Sequence, residues 1–114
     1  MTNKNGERRR SERLKTINLI SYKSKSAAGE TIAAGMAQTV DLSENGVLVK
    51  LQQPLNDPHT VEFEVALDDE IILLSGQVIE QVQASDGVWL IRADFGVLRP
   101  SIRHKLVTFM MNLR

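Results

Sequence analysis

The sequence predicts an all-β domain, a six-stranded antiparallel barrel followed by one C-terminal helix. Apolar and polar residues alternate in several short segments, and turn-forming residues separate these segments at regular spacing. Near the C-terminus the apolar spacing changes to steps of three and four residues. Short strands with glycine-marked turns are typical of a small antiparallel barrel. A chain of 114 residues can form one such domain around its own apolar core.

The N-terminal stretch is polar and strongly basic. We expect residues 1–7 to be a flexible end and residues 8–114 to be one domain, with an arm at 8–15 before the barrel at 16–96. Residues 1–15 carry six basic side chains against two acidic ones, although the whole chain is balanced at 14 of each. A basic arm on a neutral body favours an anionic partner.

The first three strands are predicted around two polar connections. Residues 16–23 alternate as a strand, and a loop rich in Ser, Lys, Ala and Gly follows at 23–30. A second strand is predicted at 31–40, weakened by its alanines and Gly35. After a polar turn, residues 47–52 alternate as the third strand.

The next three strands have clearer patterns. Residues 61–67 show the cleanest alternation in the chain and predict a half-buried antiparallel strand. A fifth strand begins at Ile71, and we expect a bulge at Gly76 to let it continue to Val82. A Ser-Asp-Gly turn then precedes a final strand at 89–95 that buries the face carrying Trp89.

The last segment predicts an amphipathic helix over residues 100–113. Proline at position 100 suits the first turn of a helix. Apolar residues then recur on one face, at Ile102, Leu106, Phe109, Met110 and Leu113. We expect this helix to pack over an opening of the sheet.

The turn between the second and third strands has the sequence Asp-Leu-Ser-Glu-Asn-Gly, at residues 41–46. Asp41 offers a charged acceptor, and the Ser43 hydroxyl both donates and accepts hydrogen bonds. We expect Gly46, after an asparagine, to adopt a positive φ that tightens the turn. Taken alone, these residues are better explained by a plain hairpin in which Asp41 and Ser43 bond to their own turn, and the arginine cluster upstream changes that balance.

Together with the arginine cluster upstream, this turn resembles the PilZ domain family, a bacterial receptor module for cyclic di-GMP. The first motif is the spaced pair Arg9 and Arg13 preceded by Arg8, and the second is Asp/Asn-x-Ser-x-x-Gly at 41–46. The resemblance spans nearly the whole chain and implies a split-barrel type of six-stranded domain with a C-terminal helix. It implies that cyclic di-GMP is held by six residues: Arg8, Arg9, Arg13, Asp41, Ser43 and Gly46.

The chemistry of these residues suits that ligand. Cyclic di-GMP carries two phosphodiester charges and two guanines, and arginine bonds phosphate through its planar fork, stacks on bases and matches guanine O6 and N7. Asp41 would accept hydrogen bonds from the guanine ring N–H and amino group. We expect the arm to close over the ligand and to expose a surface for a downstream protein partner in trans.

Other site types find little support. The chain has no cysteine, which excludes disulfides and thiolate chemistry, and its two histidines lack metal-ligand spacing. We therefore expect no enzyme, no metal and no cofactor beyond the dinucleotide. The absence of a signal peptide and of a membrane-spanning run predicts a cytoplasmic protein without membrane insertion. We expect no DNA partner, and a monomer or weak dimer.

Two alternatives stay open from the sequence. One is a PilZ-like protein-interaction module that does not bind nucleotide. The other is a small RNA-binding barrel with a basic arm. The aromatic residues fall mostly on predicted core faces, which disfavours the second alternative, because single-stranded nucleic acid is bound by stacking on exposed aromatic rings.

Overall fold

The computed structural model describes residues 19–67 and 70–112. Six strands and one helix follow one another along these residues. They are β1 (Leu19–Lys25), β2 (Thr31–Leu42), β3 (Gly46–Leu51), β4 (Thr60–Leu67), β5 (Glu70–Gln83), β6 (Trp89–Asp94) and α1 (Pro100–Asn112). The number, order and type of the elements confirm the fold class predicted from the sequence.

The strands form a closed barrel in the order β1-β2-β3-β6-β5-β4, with every neighbouring pair antiparallel. The 14-residue strand β5 makes this closure possible. Its first half, up to Gly76, pairs with β4, and its second half, from Gln77, pairs with β6. One strand thus joins the two parts of the sheet, which would otherwise have exposed unpaired edges there.

The inward faces of the strands and one face of α1 form a single apolar core. Phe63, Leu74 and Ile91 are fully buried at its centre, in keeping with the alternation predicted for β4 and β6. The helix contributes Leu106, which is 0% exposed, and Met110. The helix is therefore part of the core.

The first hairpin is tighter than predicted. Residues 16–18 lie outside the described part of the chain, and β1 continues to Lys25. The predicted loop at 23–30 is reduced to a short turn, closed by the Ser26 N–H donating to the Glu30 carbonyl at 2.9 Å. Ser24 is buried, and its backbone N–H and C=O groups would be costly to leave without hydrogen bonds there. Pairing with Ala33 provides these bonds, so the strand continues into the segment predicted as a loop.

The second strand is longer than predicted and includes Asp41 and Leu42. Leu42 is 1% exposed and pairs with Val47 across the turn, so burial of its side chain draws both residues into the ladder. A register shift between Thr39 and Asp41 interrupts the pairing just before the turn. Asp41 is therefore held on a strand end, and only residues 43–45 form the connection.

The bulge predicted at Gly76 is also displaced. The register shift in β5 falls between Val78 and Glu80, opposite β6. Gly76 instead lies in regular pairing with Val61, where a Cβ atom would come within 2.8 Å of the Asp94 carbonyl oxygen. The glycine is needed because two backbones pass closely at this point, and the sequence pattern does not distinguish that reason from a bulge.

Replacing Leu106 with alanine tests whether the helix belongs to the core. We expect the free energy of unfolding in urea to fall by about 2–5 kcal/mol, because a fully buried side chain is truncated. The matched control is His104→Ala, an exposed position on the same helix, which should change stability by less than about 0.5 kcal/mol. Equal stability of the two variants would contradict the packing of α1 described above.

Candidate ligand-binding site

The turn between β2 and β3 is held by its own hydrogen bonds. The Ser43 N–H donates to the Gly46 carbonyl at 2.9 Å, and the Ser43 Oγ accepts from the Asn45 N–H at 3.2 Å. The same hydroxyl lies 3.5 Å from the Gly46 carbonyl oxygen. The local bonding expected of a plain hairpin is therefore present for Ser43. A hydroxyl has two lone pairs and one proton, so this bonding leaves acceptor capacity at Oγ.

Gly46 fits the turn for a reason other than the one predicted. Its φ is not in the left-handed region, in contrast to Gly29, Gly87 and Gly96. It begins β3 and pairs with Asp94 on β6, and a Cβ atom built on it would lie 2.3 Å from the Ala93 carbonyl oxygen. The absence of a side chain at position 46 therefore permits close contact between two backbones.

A groove of about 550 Å³ opens beside this turn. It runs between the turn, β6 and α1, and its volume is in the usual range for a small-molecule site. Three of the residues expected to bind the ligand, Asp41, Ser43 and Gly46, line it together. The other lining residues include Glu44, Asn45, Val47, Leu48, Ile79, Arg92, Ala93, Asp94, Arg103, Val107 and Met110.

Among the described residues, the acidic and basic side chains that border the groove nearly balance in charge. Three acids and two arginines border it: Asp41, Glu44, Asp94, Arg92 and Arg103. The Arg103 Nε lies 2.8 Å from a Glu44 carboxylate oxygen, and the Arg92 Nε lies 3.5 Å from a Glu80 carboxylate oxygen. Both guanidinium groups thus already face a carboxylate. These side chains give the groove hydrogen-bonding groups but no excess of positive charge.

Sequence reasoning missed both Arg92 and Arg103 as site residues. Arg92 reaches the groove because β6 pairs with β3, which sets it opposite Leu48. These strands are far apart in the chain, so alternation within β6 alone does not reveal the pairing. Arg103 is an exposed residue of α1, and its contact with Glu44 links the helix to the motif turn.

The three arginines expected to bind the ligand, Arg8, Arg9 and Arg13, lie outside the described residues. The structure does describe where the chain enters the barrel. Leu19, the first residue of β1, pairs with Gln38, which is three residues before Asp41 on β2. The chain therefore enters β1 at the end of the barrel that carries the motif turn.

The family model for the PilZ domain matches residues 7–112, a span that includes the barrel, the helix and the motif turn. This chain belongs to the PilZ domain family. The family assignment made from the two motifs is thus confirmed, and it covers nearly the full length of the chain. No curated protein sequence matches the chain.

Solved structures share the fold at low identity. The inhibitor of motility MotI/DgrA of Bacillus subtilis has a TM-score of 0.67 and 8% identity, over 89% of this chain and 48% of that one. YcgR of Escherichia coli in complex with c-di-GMP has a TM-score of 0.64 and 14% identity, over 89% and 43%. The PilZ domain of CeSA from a cellulose-synthesizing bacterium has a TM-score of 0.60 and 18% identity, over 89% and 96%. This PilZ chain spans less than half the length of the first two.

Two absences concern the described ranges, 19–67 and 70–112. No helix there has the length and apolar character needed to cross a membrane. No group of three or more histidine or acidic side chains there is arranged to hold a metal ion. Asp68 and Asp69, the two acidic residues between β4 and β5 in the sequence, lie outside those ranges.

Substituting Gly46 with alanine tests the close contact between β3 and β6. We expect the free energy of unfolding to fall by about 3 kcal/mol, because the new methyl group would overlap a backbone oxygen that cannot rotate away. Gly35→Ala is the control, since its added Cβ would meet only the edge of the Tyr22 ring at 3.3 Å. The free energy of unfolding of both variants is measured by urea titration. A Gly46→Ala protein as stable as Gly35→Ala would contradict the steric explanation.

Proposed function

We propose that this PilZ domain is a receptor for cyclic di-GMP, which binds in the groove beside the motif turn under the N-terminal arginine arm. The observation that carries the proposal is the convergence of Asp41, Ser43 and Gly46 on one groove, at the end where the chain enters β1. Membership of the PilZ family and the fold shared with YcgR, solved with c-di-GMP, support it.

Each motif residue has a distinct role in the proposal. Asp41, half-buried at the end of β2, accepts hydrogen bonds from the ring N–H and amino group of one guanine. The Ser43 proton turns from the Gly46 carbonyl, 3.5 Å away, to a phosphate oxygen, or the remaining lone pair of Oγ accepts a hydrogen bond from a base edge. Gly46 leaves the wall of the groove free of a side chain where the ligand lies. Arg9 and Arg13 bond the phosphates and stack on the bases, and Arg8 adds a third cation.

The charge balance of the groove supports a requirement for the arm. A doubly charged anion gains little from Arg92 and Arg103 while each faces a carboxylate and three acids border the same groove. The segment 1–15 supplies six basic side chains against two acids. We therefore infer that ligand binding and ordering of the arm are one event, and that neither the arm nor the barrel binds tightly alone.

The proposed output is a change of surface, without covalent chemistry. When the arm closes on the ligand, it presents a new surface at that end of the barrel to a protein partner in trans. Two of the similar structures are an inhibitor of motility and a domain from a cellulose-synthesizing bacterium. They favour a role for this chain in the control of motility or biofilm formation. The proposed location is the cytoplasm, with the receptor a monomer or weak dimer.

Isothermal titration calorimetry with cyclic di-GMP tests the proposal. We expect wild type to bind in the micromolar range or tighter. Arg9→Ala, Arg13→Ala and Asp41→Ala should each weaken binding by at least about tenfold, because each removes a charge-assisted hydrogen bond. Arg10→Ala is the matched control, since it removes the same charge from the same arm at a position between the motif arginines, and it should weaken binding by less than about threefold.

Three results would count against this account. If Arg10→Ala and Arg13→Ala lost the same affinity for cyclic di-GMP, the arm would contribute net charge and not specific contacts. A wild-type protein that gives no heat with the dinucleotide would favour the interaction module that does not bind nucleotide. If that protein also retarded single-stranded RNA in a gel, the RNA-binding alternative would take its place.

A further inference from the structure

The first half of β2 has a partner strand on one side only. Thr31 and residues 33–37 pair with β1, with Ile32 as the extra residue of a register shift, whereas pairing with β3 begins at Gln38, opposite Lys50. After Leu51 the chain leaves the sheet as a loop. Among the described residues, no backbone hydrogen bond joins residues 31–37 to a neighbour on the side away from β1. Alternate N–H and C=O groups of this seven-residue edge therefore face outward.

Between Ala33 and Ala37, beyond the register shift at Ile32, this edge lacks the features that normally prevent strand addition. Exposed edges are commonly guarded by lysine, by proline or by inward-pointing charges. The sequence Thr-Ile-Ala-Ala-Gly-Met-Ala at 31–37 contains none of these. Its central residues, Ala33, Ala34 and Gly35, are small, so the backbone is accessible. One register shift, opposite Ser24 and Lys25, affects only the end of the edge near the hairpin.

A groove of about 630 Å³ runs along the same edge. Tyr22, whose ring lies against Gly35 on one face of the sheet, and Met36, which points to the opposite face, both border it. A groove that touches both faces must follow the edge itself. Its other wall is the segment after β3, including Pro54 and Leu55. A groove with two walls has room for a single extended strand. A second copy of the barrel would bring its own segment after β3 into the space that this strand would occupy.

We propose that this edge binds an extended peptide segment of a partner protein by strand addition. The partner backbone pairs with residues 31–37, and its apolar side chains on one face pack against Ile32 and Met36, which are 46% and 56% exposed. The partner segment is uncharged or apolar at alternate positions, to match an edge without charge. This site lies at the opposite end of β2 from Asp41, so the proposal does not depend on nucleotide binding.

The test uses the full-length protein and a phage-displayed library of random linear peptides. Peptides enriched on wild type should lose at least about tenfold in affinity for Ala34→Lys and Met36→Lys, because lysine on an edge disfavours strand addition. Both positions are exposed, so the barrel should tolerate the changes. Ile71→Lys is the matched control, an apolar residue 70% exposed on β5, and it should bind the peptides as wild type does.

A second measurement separates backbone pairing from simple apolar contact and does not require a variant of the protein. A selected peptide with N-methyl groups at alternate residues should lose binding in one of its two registers of methylation. Binding of the unmethylated peptide should slow amide exchange at the outward-facing N–H groups within residues 33–37. The proposal is overturned if no peptide is enriched above the level on Met36→Lys, or if both methylated peptides bind as tightly as the parent. It is also overturned if wild type self-associates through this edge and Met36→Lys abolishes that association.

Discussion

The contact between the backbones of β3 and β6 at Gly46 determines the form of the site. Position 46 has no side chain, so the Ala93 carbonyl can approach the start of β3, and the motif turn is fixed against β6. That contact also brings Arg92 beside Leu48 and leaves a groove between the turn and α1. The glycine of the motif thus acts first on barrel closure, and the shape of the ligand groove follows from it.

The long strand β2 connects two regions with different properties. Beyond Gln38, towards its C-terminal end, it pairs with β3 and carries Asp41 into the groove. At its N-terminal end it is paired on one side and borders a second groove with an uncharged edge. The change between the two regions comes at Gln38, where β3 begins to pair. The nucleotide site and the peptide site that we propose therefore lie at opposite ends of one strand.

The sequence predicted those parts of the fold whose signal is local. Alternation at 61–67 gives the buried face of β4, and the three- and four-residue spacing gives the buried face of α1. It did not predict why Gly46 and Gly76 are glycines, because both reasons depend on a backbone far away in the chain. Arg92 and Arg103 were missed for the same cause: their place in the groove follows from non-sequential packing. The two motifs indicated the family because their residue types, spacing and order can be read directly from the sequence.

The central claim is that the arginine arm and the motif turn meet around the ligand, and paramagnetic relaxation enhancement tests it most directly. Because the chain has no cysteine, Arg10→Cys accepts a single nitroxide label between the motif arginines. With cyclic di-GMP bound, we predict strong broadening of the amide resonances of residues 43–46 and little broadening of those in the distant turn at 26–29. Broadening that does not reach residues 43–46 in the bound state would contradict it.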